Sequence, residues 1–291
     1  MRVQNTISRS VMIAALACFG TLAVAQAPNP ALTVKKVKDN IYVVEGGGGN
    51  STIIIGQNGV IVVDAKTTLG AGKGIVDEVT KLTNKPITTV ILTHSDADHV
   101  NGLPAFPKGI TIIAHENDKK EMEQAIATGA RNAPSKDYMP TKVVTQNREN
   151  DTIDGVRMAL IHIANAHTSG DLAIYLPDEK VAITGDLIGP RDPLIHLNKN
   201  GNSEGWIRFV SALVQLDADT YVLGHADPET KAQVEANLKN AEAKRARIAA
   251  LVKEGKSLDD VKQALGEPLK PANPPPFPTF TETTYDELTK K

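Results

Sequence analysis

Four side chains able to bind a metal ion stand within six residues of one another in the string His94-Ser-Asp-Ala-Asp-His99: His94, Asp96, Asp98 and His99. Three later residues, His167, Asp186 and His225, each follow or close an apolar run that reads as a strand. Neutral imidazole suits zinc and other divalent ions, while carboxylate adds hard oxygen donors whose charge offsets the ion. An ion held in this way lowers the pKa of water to about 7 and polarises a carbonyl or phosphoryl oxygen. That is hydrolytic chemistry, and it requires no protein nucleophile. Ser, Asp and Asn after a strand also make turns and cap helices, which accounts for the aspartates but not for both histidines.

These residues need elements to position them. Residues 41–45 (IYVVE), 51–55 (STIII), 60–64 (VIVVD), 88–93 (TTVILT) and 110–114 (ITIIA) read as strands, the second and third joined by a GQNG turn. VRMALIHIA, DLAIYLP, KVAITG and YVLG continue the series beyond a polar, proline-marked stretch, with helices expected over about 71–83, 116–128 and 204–215. Strands alternating with helices predict a layered α/β domain. If the chain stays extended from His94 through Asp98, then His94, Asp96 and Asp98 point to one side. His99 joins them as the chain turns into a helix over 99–106. His94, Asp186 and His225 directly follow strand runs, and crevices at strand carboxyl ends are common ligand sites in α/β folds.

The string around His94, AHTSGDLAIYLP around His167, ITGDL around Asp186 and VLGHADP around His225 together resemble the metallo-beta-lactamase superfamily, from about Ile41 to His225. The resemblance implies a four-layer αββα sandwich, with two sheets packed between helices and the ligands converging at one edge. It further implies that His94, residue 96 and His167 hold a first metal, that Asp98, His99 and His225 hold a second, and that Asp186 bridges them. The expected cofactor is zinc, one or two ions per chain, with iron or manganese as alternatives. The family's string is HxHxDH, so Asp96 stands where a second histidine belongs, and the first site is expected to bind its ion more weakly. Asp64, ending a strand, resembles the family's aspartate that orients a ligand histidine; a turn-forming carboxylate explains it equally. Asp98 is the expected catalytic residue, orienting the attacking water and relaying a proton to the leaving group.

Three histidines fall outside these motifs. His115 reads as opening a helix and His162 as a core or sheet histidine. His196, with Asn198, lies in a connection that begins beside Asp186 and either lines a substrate pocket or sits in a surface loop; Arg191 and Lys199 read either as partners for a substrate carboxylate or as solvated loop charges. The run Gly46–Gly49 lacks the lysine and helix of a phosphate loop. It reads as a flexible hairpin, with a flap over the metals as the functional version.

At 291 residues and 41% hydrophobic content, the chain has ample core for one large domain or two small ones. Lys and Arg total 32 against 34 acids, which gives no electrostatic reason to expect a nucleic-acid partner. Arg2 and Arg9, the apolar run VMIAALACFG and Ala23-Val24-Ala25 have the layout of a secretory signal peptide over residues 1–25, implying a periplasmic or secreted protein with no membrane partner after cleavage. Cleavage removes two arginines, no acids and the one cysteine, Cys18, leaving no disulfides. Lipidation at Cys18 is the alternative fate. The expected domain spans 31–252, its last helix burying Val234, Leu238, Ala241, Ile248 and Leu251. Residues 253–291 add a short helix begun by Ser257 with Asp260, a proline-rich arm and a charged tail.

The expected function is a metal-dependent hydrolase of a small ester or amide, with a β-lactam or lactone favoured; the oligomeric state is left open. A diiron oxidoreductase of the same fold, whose string resembles HxExDH, is the alternative, since it too has a carboxylate at position 96. A non-catalytic metal-binding protein is the third reading.

Overall fold

The computed structural model describes residues 31–190, 192–270 and 277–290. The expected signal peptide with Cys18, Arg191 and most of the proline-rich arm lie outside the described residues. Strands β1 (Thr33–Lys38), β2 (Ile41–Glu45), β3 (Ser51–Ile55) and β4 (Val60–Val63) form an antiparallel meander. After helix α1 (Leu69–Leu82), strands β5 (Ile87–Ile91), β6 (Thr111–His115) and β7 (Lys142–Val144) extend the sheet in parallel, to seven strands in sequence order. Helices α2 (Ala97–Val100) and α3 (Glu116–Ala127) lie in the connections.

The second sheet has six strands in the order β13-β12-β11-β10-β9-β8: β8 (Arg148–Ile153), β9 (Val156–Ile161), β10 (Ala173–Leu176), β11 (Val181–Gly185), β12 (Thr220–Leu223) and β13 (Glu229–Thr230). Helix α4 (Ser203–Val214) makes the parallel crossover from β11 to β12. Then follow α5 (Lys231–Lys253), α6 (Leu258–Ala264) and α7 (Phe280–Thr289).

The alternation of side chains along each strand sorts the core into layers. Ile41, Val43, Ile61, Val63 and Ile91 of the first sheet meet Leu160, Ile174, Leu176, Val181 and Ile183 of the second. The opposite faces are covered too. Val44, Val60, Val62 and Val90 pack with Ile75 and Val79 of α1 and Met122 of α3, while Tyr175, Ala182 and Tyr221 pack with Trp206, Phe209 and Leu213 of α4 and Leu238 of α5. The fold is thus a four-layer αββα sandwich. Both sheets send strand carboxyl ends toward one edge: Asp64 directly follows β4, His94 lies just beyond β5, Asp186 follows β11 and His225 lies just beyond β12.

Three of the departures from the sequence reading bear on the core and the site. The helix expected over 99–106 is one turn at Ala97–Val100 and a 3-10 turn at Leu103–Ala105. Pro104 removes a donor, and Gly102 passes so close to the chain that a Cβ there would lie 1.8 Å from the carbonyl oxygen of Ala65. β8, with the sequence RENDTI, is a half-exposed edge strand and carries no apolar run to announce it. The charged tail holds α7, whose capping box of Thr279 with Glu282 starts a helix that buries Phe280, Thr281, Thr283 and Thr284. Phe280 joins the α4/α5 core, and Glu287 accepts hydrogen bonds from the Ser203 backbone amide and hydroxyl at the start of α4.

Phe280→Ala should therefore cost about 3 kcal/mol of stability, read by urea unfolding. A loss below about 1 kcal/mol, the level of ordinary substitutions, would mean that α7 does not contribute to the core.

Candidate metal centre

The strand ends are tied together by one buried carboxylate. Asp64 sits in the left-handed region (φ 60°) immediately after β4. Its Oδ1 accepts from the Thr93 amide at 2.8 Å, and its Oδ2 from the Thr93 hydroxyl and the His99 Nδ1–H, both at 2.7 Å. Because the Thr93 hydroxyl donates to Asp64, its oxygen is left to accept from His94 Nδ1–H at 3.0 Å. His167 Nδ1–H donates to the Leu194 carbonyl at 2.8 Å. All three buried imidazoles are thereby held through Nδ1 and present Nε2 inward, which fixes ring orientation and leaves the lone pair for a ligand.

The chain remains extended only through Asp96, the N-cap of α2. Asp98 and His99 therefore enter the centre from the first turn of a helix, not from the alternating strand that the spacing suggested. The loop of glycines braces this turn and is a wall against His99. A Cβ on Gly49 would lie 2.3 Å from the His99 ring, and the Gly49 amide donates to the Asp98 carbonyl at 3.1 Å. Lys66, wholly buried, donates to the carbonyls of Val44 (2.5 Å) and Gly49 (2.7 Å) and so clamps both ends of the loop. Burial pushes its ammonium down to about 8, against the pull of Asp64. The sequence reading passed over Lys66, because a lone lysine after a strand carries no motif.

All seven expected donors converge. Asp98, His99 and His225 form one group whose ligand atoms lie within 4.8 Å of one another, and His94, His167 and Asp186 form another. Asp186 stands between the groups, 3.3 Å from His99 and His225 and 3.8 Å from His167. Burial opposes charge on His99, His167, His225 and the three aspartates. Even so, Asp186 and Asp64 hold His99 well above the ordinary imidazole range, and Asp96 raises His167 to about 9. Hydrogen bonds to Asp186 and Asp98 raise His225 to about 9. The field of the carboxylates favours cations, and a metal entering it would displace protons. The donor set fits an ion: among the described residues His94 Nε2 and Asp186 Oδ1 are buried without hydrogen-bond partners, and an ion would relieve the cost of leaving them so.

Asp96 differs from the others. Its Oδ1 accepts from Lys199 Nζ at 2.5 Å, while its Oδ2 faces His167 Nε2 at 3.2 Å, His196 Nε2 at 3.4 Å and His94 Nε2 at 3.5 Å. Burial, which would raise the carboxyl, is outweighed by His167 and His94, and the group is held far below the usual carboxylate range. Lys199, read as a partner for a substrate carboxylate, is taken up by Asp96 and Ser95, with Glu121 at 3.5 Å. His196 and Asn198 line the cleft that opens beside Asp96 and Asp98, a cavity of about 490 Å³ whose apolar lining includes Met122, Ala125, Pro134 and Phe277.

His115 and His162 stay out of the centre and stack on each other with ring centroids 3.9 Å apart. His162 donates Nδ1–H to the Asp171 carbonyl. Asp118, in the first turn of α3, is wholly buried with neither oxygen hydrogen-bonded among the described residues. Burial, reinforced by Glu121 and Asp171, holds its carboxyl well above the ordinary value.

Comparison with known proteins agrees with this architecture. The family model of the metallo-beta-lactamase superfamily matches residues 44–225. The chain is 26% identical over 233 residues to the 2,4-dinitroanisole O-demethylase subunit alpha of Nocardioides sp. (strain JS1661), covering 79% of this chain and 69% of the relative. It is 23% identical over 218 residues to the linear primary-alkylsulfatase of Pseudomonas sp. (strain ATCC 19151), covering 60% of this chain and 41% of that protein, so it spans less than half the sulfatase's length. The solved sec-alkylsulfatase Pisa1 from Pseudomonas sp. superposes with a TM-score of 0.73 at 17% identity, covering 89% of this chain and 50% of that one. The αββα sandwich with side chains able to hold a metal at its edge is a metallohydrolase scaffold. The chain belongs to the metallo-beta-lactamase superfamily.

Two outcomes follow from the contacts around the centre. Asp64→Asn should weaken metal binding about 10- to 100-fold, the usual effect of losing a partner that orients a ligand, as measured by competition with a chelator; unchanged affinity would leave Asp64 a turn former. Asp118 keeps its proton in the fold but loses it on unfolding above the ordinary carboxyl pKa, so its contribution to stability is greatest below that pKa and is lost as pH rises toward the folded value. Urea unfolding across pH 5 to 8 should find Asp118→Asn gaining on the parent by up to about 1.4 kcal/mol per pH unit. A difference independent of pH would contradict a raised Asp118.

Proposed function

We propose that the chain is a metal-dependent hydrolase acting on a small ester with an alkyl or aryl group, sulfate esters included. The observation that carries this reading is the join between the donor cluster and the cleft. Asp96, Asp98 and His196 belong to the same cavity as Met122, Ala125, Ala130, Pro134 and Phe277. Such a cavity takes a ligand with a polar group at the donors and an apolar group along α3. The name of the alkylsulfatase supports the same class, since an alkyl sulfate is such an ester; the O-demethylase subunit, named for an aryl methyl ether, supports an aryl group in the substrate but not the ester. The β-lactam or lactone expected from the sequence is the second choice.

In this reading His94, Asp96, His167, Asp98, His99, Asp186 and His225 hold the metal, with zinc the ion best matched to imidazole and carboxylate together. When bound, a divalent ion supplies a water of lowered pKa and a Lewis acid for the substrate oxygen. The protein supplies the rest. Asp98 is the most exposed of the three aspartates in the centre, and His225 Nε2 lies 3.1 Å from its Oδ2. Burial raises the Asp98 carboxyl, but His225 and His99 bring it below its ordinary value, so it is ionised and able to accept a proton from water and return it to the leaving oxygen. The apolar residues along α3 seat the organic group and exclude water around the scissile bond.

Asp98→Ala should lower kcat by about a hundredfold or more, and His225→Ala should abolish turnover together with the ion held by Asp98 and His99. The assay is a panel of alkyl and aryl sulfates, carboxylic esters, a lactone and a chromogenic β-lactam, run with the zinc-loaded protein and again after chelation. Wild-type rates in Asp98→Ala, or activity that survives chelation, would refute the mechanism. Bound iron with an oxygen-dependent activity would point to the oxidoreductase reading instead.

A further inference from the structure

The family string leaves the first metal site one imidazole short, because residue 96 is aspartate. We propose that His196, which lies outside every family motif in this chain, supplies that imidazole, so that the first ion is held by Asp96, His167 and His196 with His94 within reach. The inference rests on the metal-dependent reading above and adds a ligand to it.

The geometry comes from three side chains on separate segments. The ligand atoms of Asp96, His167 and His196 all lie within 4.8 Å of one another. The Asp96 Oδ2 is 3.2 Å from His167 Nε2 and 3.4 Å from His196 Nε2. Donors about 2.0 to 2.1 Å from a tetrahedral zinc are separated from each other by about 3.3 Å, so these spacings are those of adjacent ligands. The rings of His167 and His196 meet edge to face, with centroids 4.6 Å apart.

His196 is also held in place by its own backbone. Its amide donates to the His167 carbonyl at 2.8 Å, and its carbonyl accepts from the amides of Lys199 (2.9 Å) and Gly201 (3.0 Å). The Asn202 amide donates to the Ala166 carbonyl at 3.0 Å, zipping the connection onto the loop that carries His167. Gly201 is required for this approach, since a Cβ there would lie 2.3 Å from the His167 carbonyl oxygen. A surface loop has no need of such a seam, whereas a ligand must be fixed relative to its partners.

Lys199 does not close the site. It takes Asp96 Oδ1 and Ser95 Oγ, leaving Oδ2 to the imidazoles. A carboxylate can be oriented through one oxygen while ligating through the other. The tight turn Leu197–Lys199 that carries Lys199 begins at His196, so one short segment brings both the added ligand and the group that orients Asp96.

The test is metal content of the full chain after zinc loading and gel filtration, with titration calorimetry for each binding step. The wild type should hold two zinc ions per chain. His196→Ala should retain the ion at Asp98, His99 and His225 and lose the other, or bind it at least tenfold more weakly. His196→Cys, which keeps a zinc donor, should restore it, and that split separates ligation from a merely structural role. Two ions bound by His196→Ala with unchanged affinity would overturn the proposal, as would a wild type that binds only one. A wild type that binds no metal would instead remove the metal-dependent reading on which the proposal stands. If His196→Ala does not fold, failure of the folded Cys variant to bind the second ion would overturn the proposal on its own.

Discussion

The arrangement of this protein follows from the cost of burying ionisable groups at one point. His94, His99 and His167 are at most 1% exposed, and each lies against aspartate. Such a cluster is tolerated only if every member is paired or bound to a cation. Much of the neighbouring polar structure answers that requirement. Asp64, Thr93 and the Leu194 carbonyl take the outer nitrogens of the histidines, and Lys199 takes one oxygen of Asp96. Asp171 accepts from the amide and hydroxyl of Thr168, setting the turn directly after His167. What remains unpaired, His94 Nε2 and Asp186 Oδ1, faces inward, where a cation would serve.

Two sheets are needed because no single strand end can supply this many donors. The first sheet brings Asp64 and His94 from adjacent parallel strands, and the second brings Asp186 and His225 from another parallel pair. Close backbone contact then sets the remaining distances. Gly224 stands against Asp186, where a Cβ would lie 2.0 Å from Oδ1, and its amide donates to the Gly185 carbonyl at 2.8 Å. Asn50, the residue after the glycine run, donates to the carbonyls of Leu223 and Ala226 and so joins the two sheets beside His225. The glycine run read as a flexible hairpin is therefore a fitted part, because its lack of side chains is what lets the backbone reach His99.

The sequence was most legible where burial imposes a period. The strands that build the central core, β2 to β6 and β9 to β12, carry apolar runs, and the five residues picked out on α5 are the ones it buries. Edge strands such as β8, and α7, were hidden because half-exposed elements tolerate polar residues at most positions. The donors could be read from residue type and motif order. Their supports could not: Lys66, Lys199 and the Leu194 carbonyl act across 17 to 103 positions of chain, and contacts that distant leave no local spacing to find.

Position 96 joins these two kinds of legibility. A substitution of aspartate for histidine reads, in sequence, as the loss of a ligand. In the fold, the shorter side chain leaves its Oδ2 where three imidazole nitrogens lie within 3.5 Å and its Oδ1 on an ammonium. A neutral histidine there would face Lys199 with at most one acceptor nitrogen, and that nitrogen would be claimed by either the lysine or an ion. The carboxylate has two oxygens and can serve both. Asp96 and Lys199 are thus a matched pair: removing the negative charge at 96 would strand a half-buried ammonium beside a metal ion, and removing Lys199 would leave Asp96 free to turn away from the imidazoles. The departure from the family string is coherent with its surroundings, and its consequence lies as much in the cleft that Lys199 and His196 border as in the ion itself.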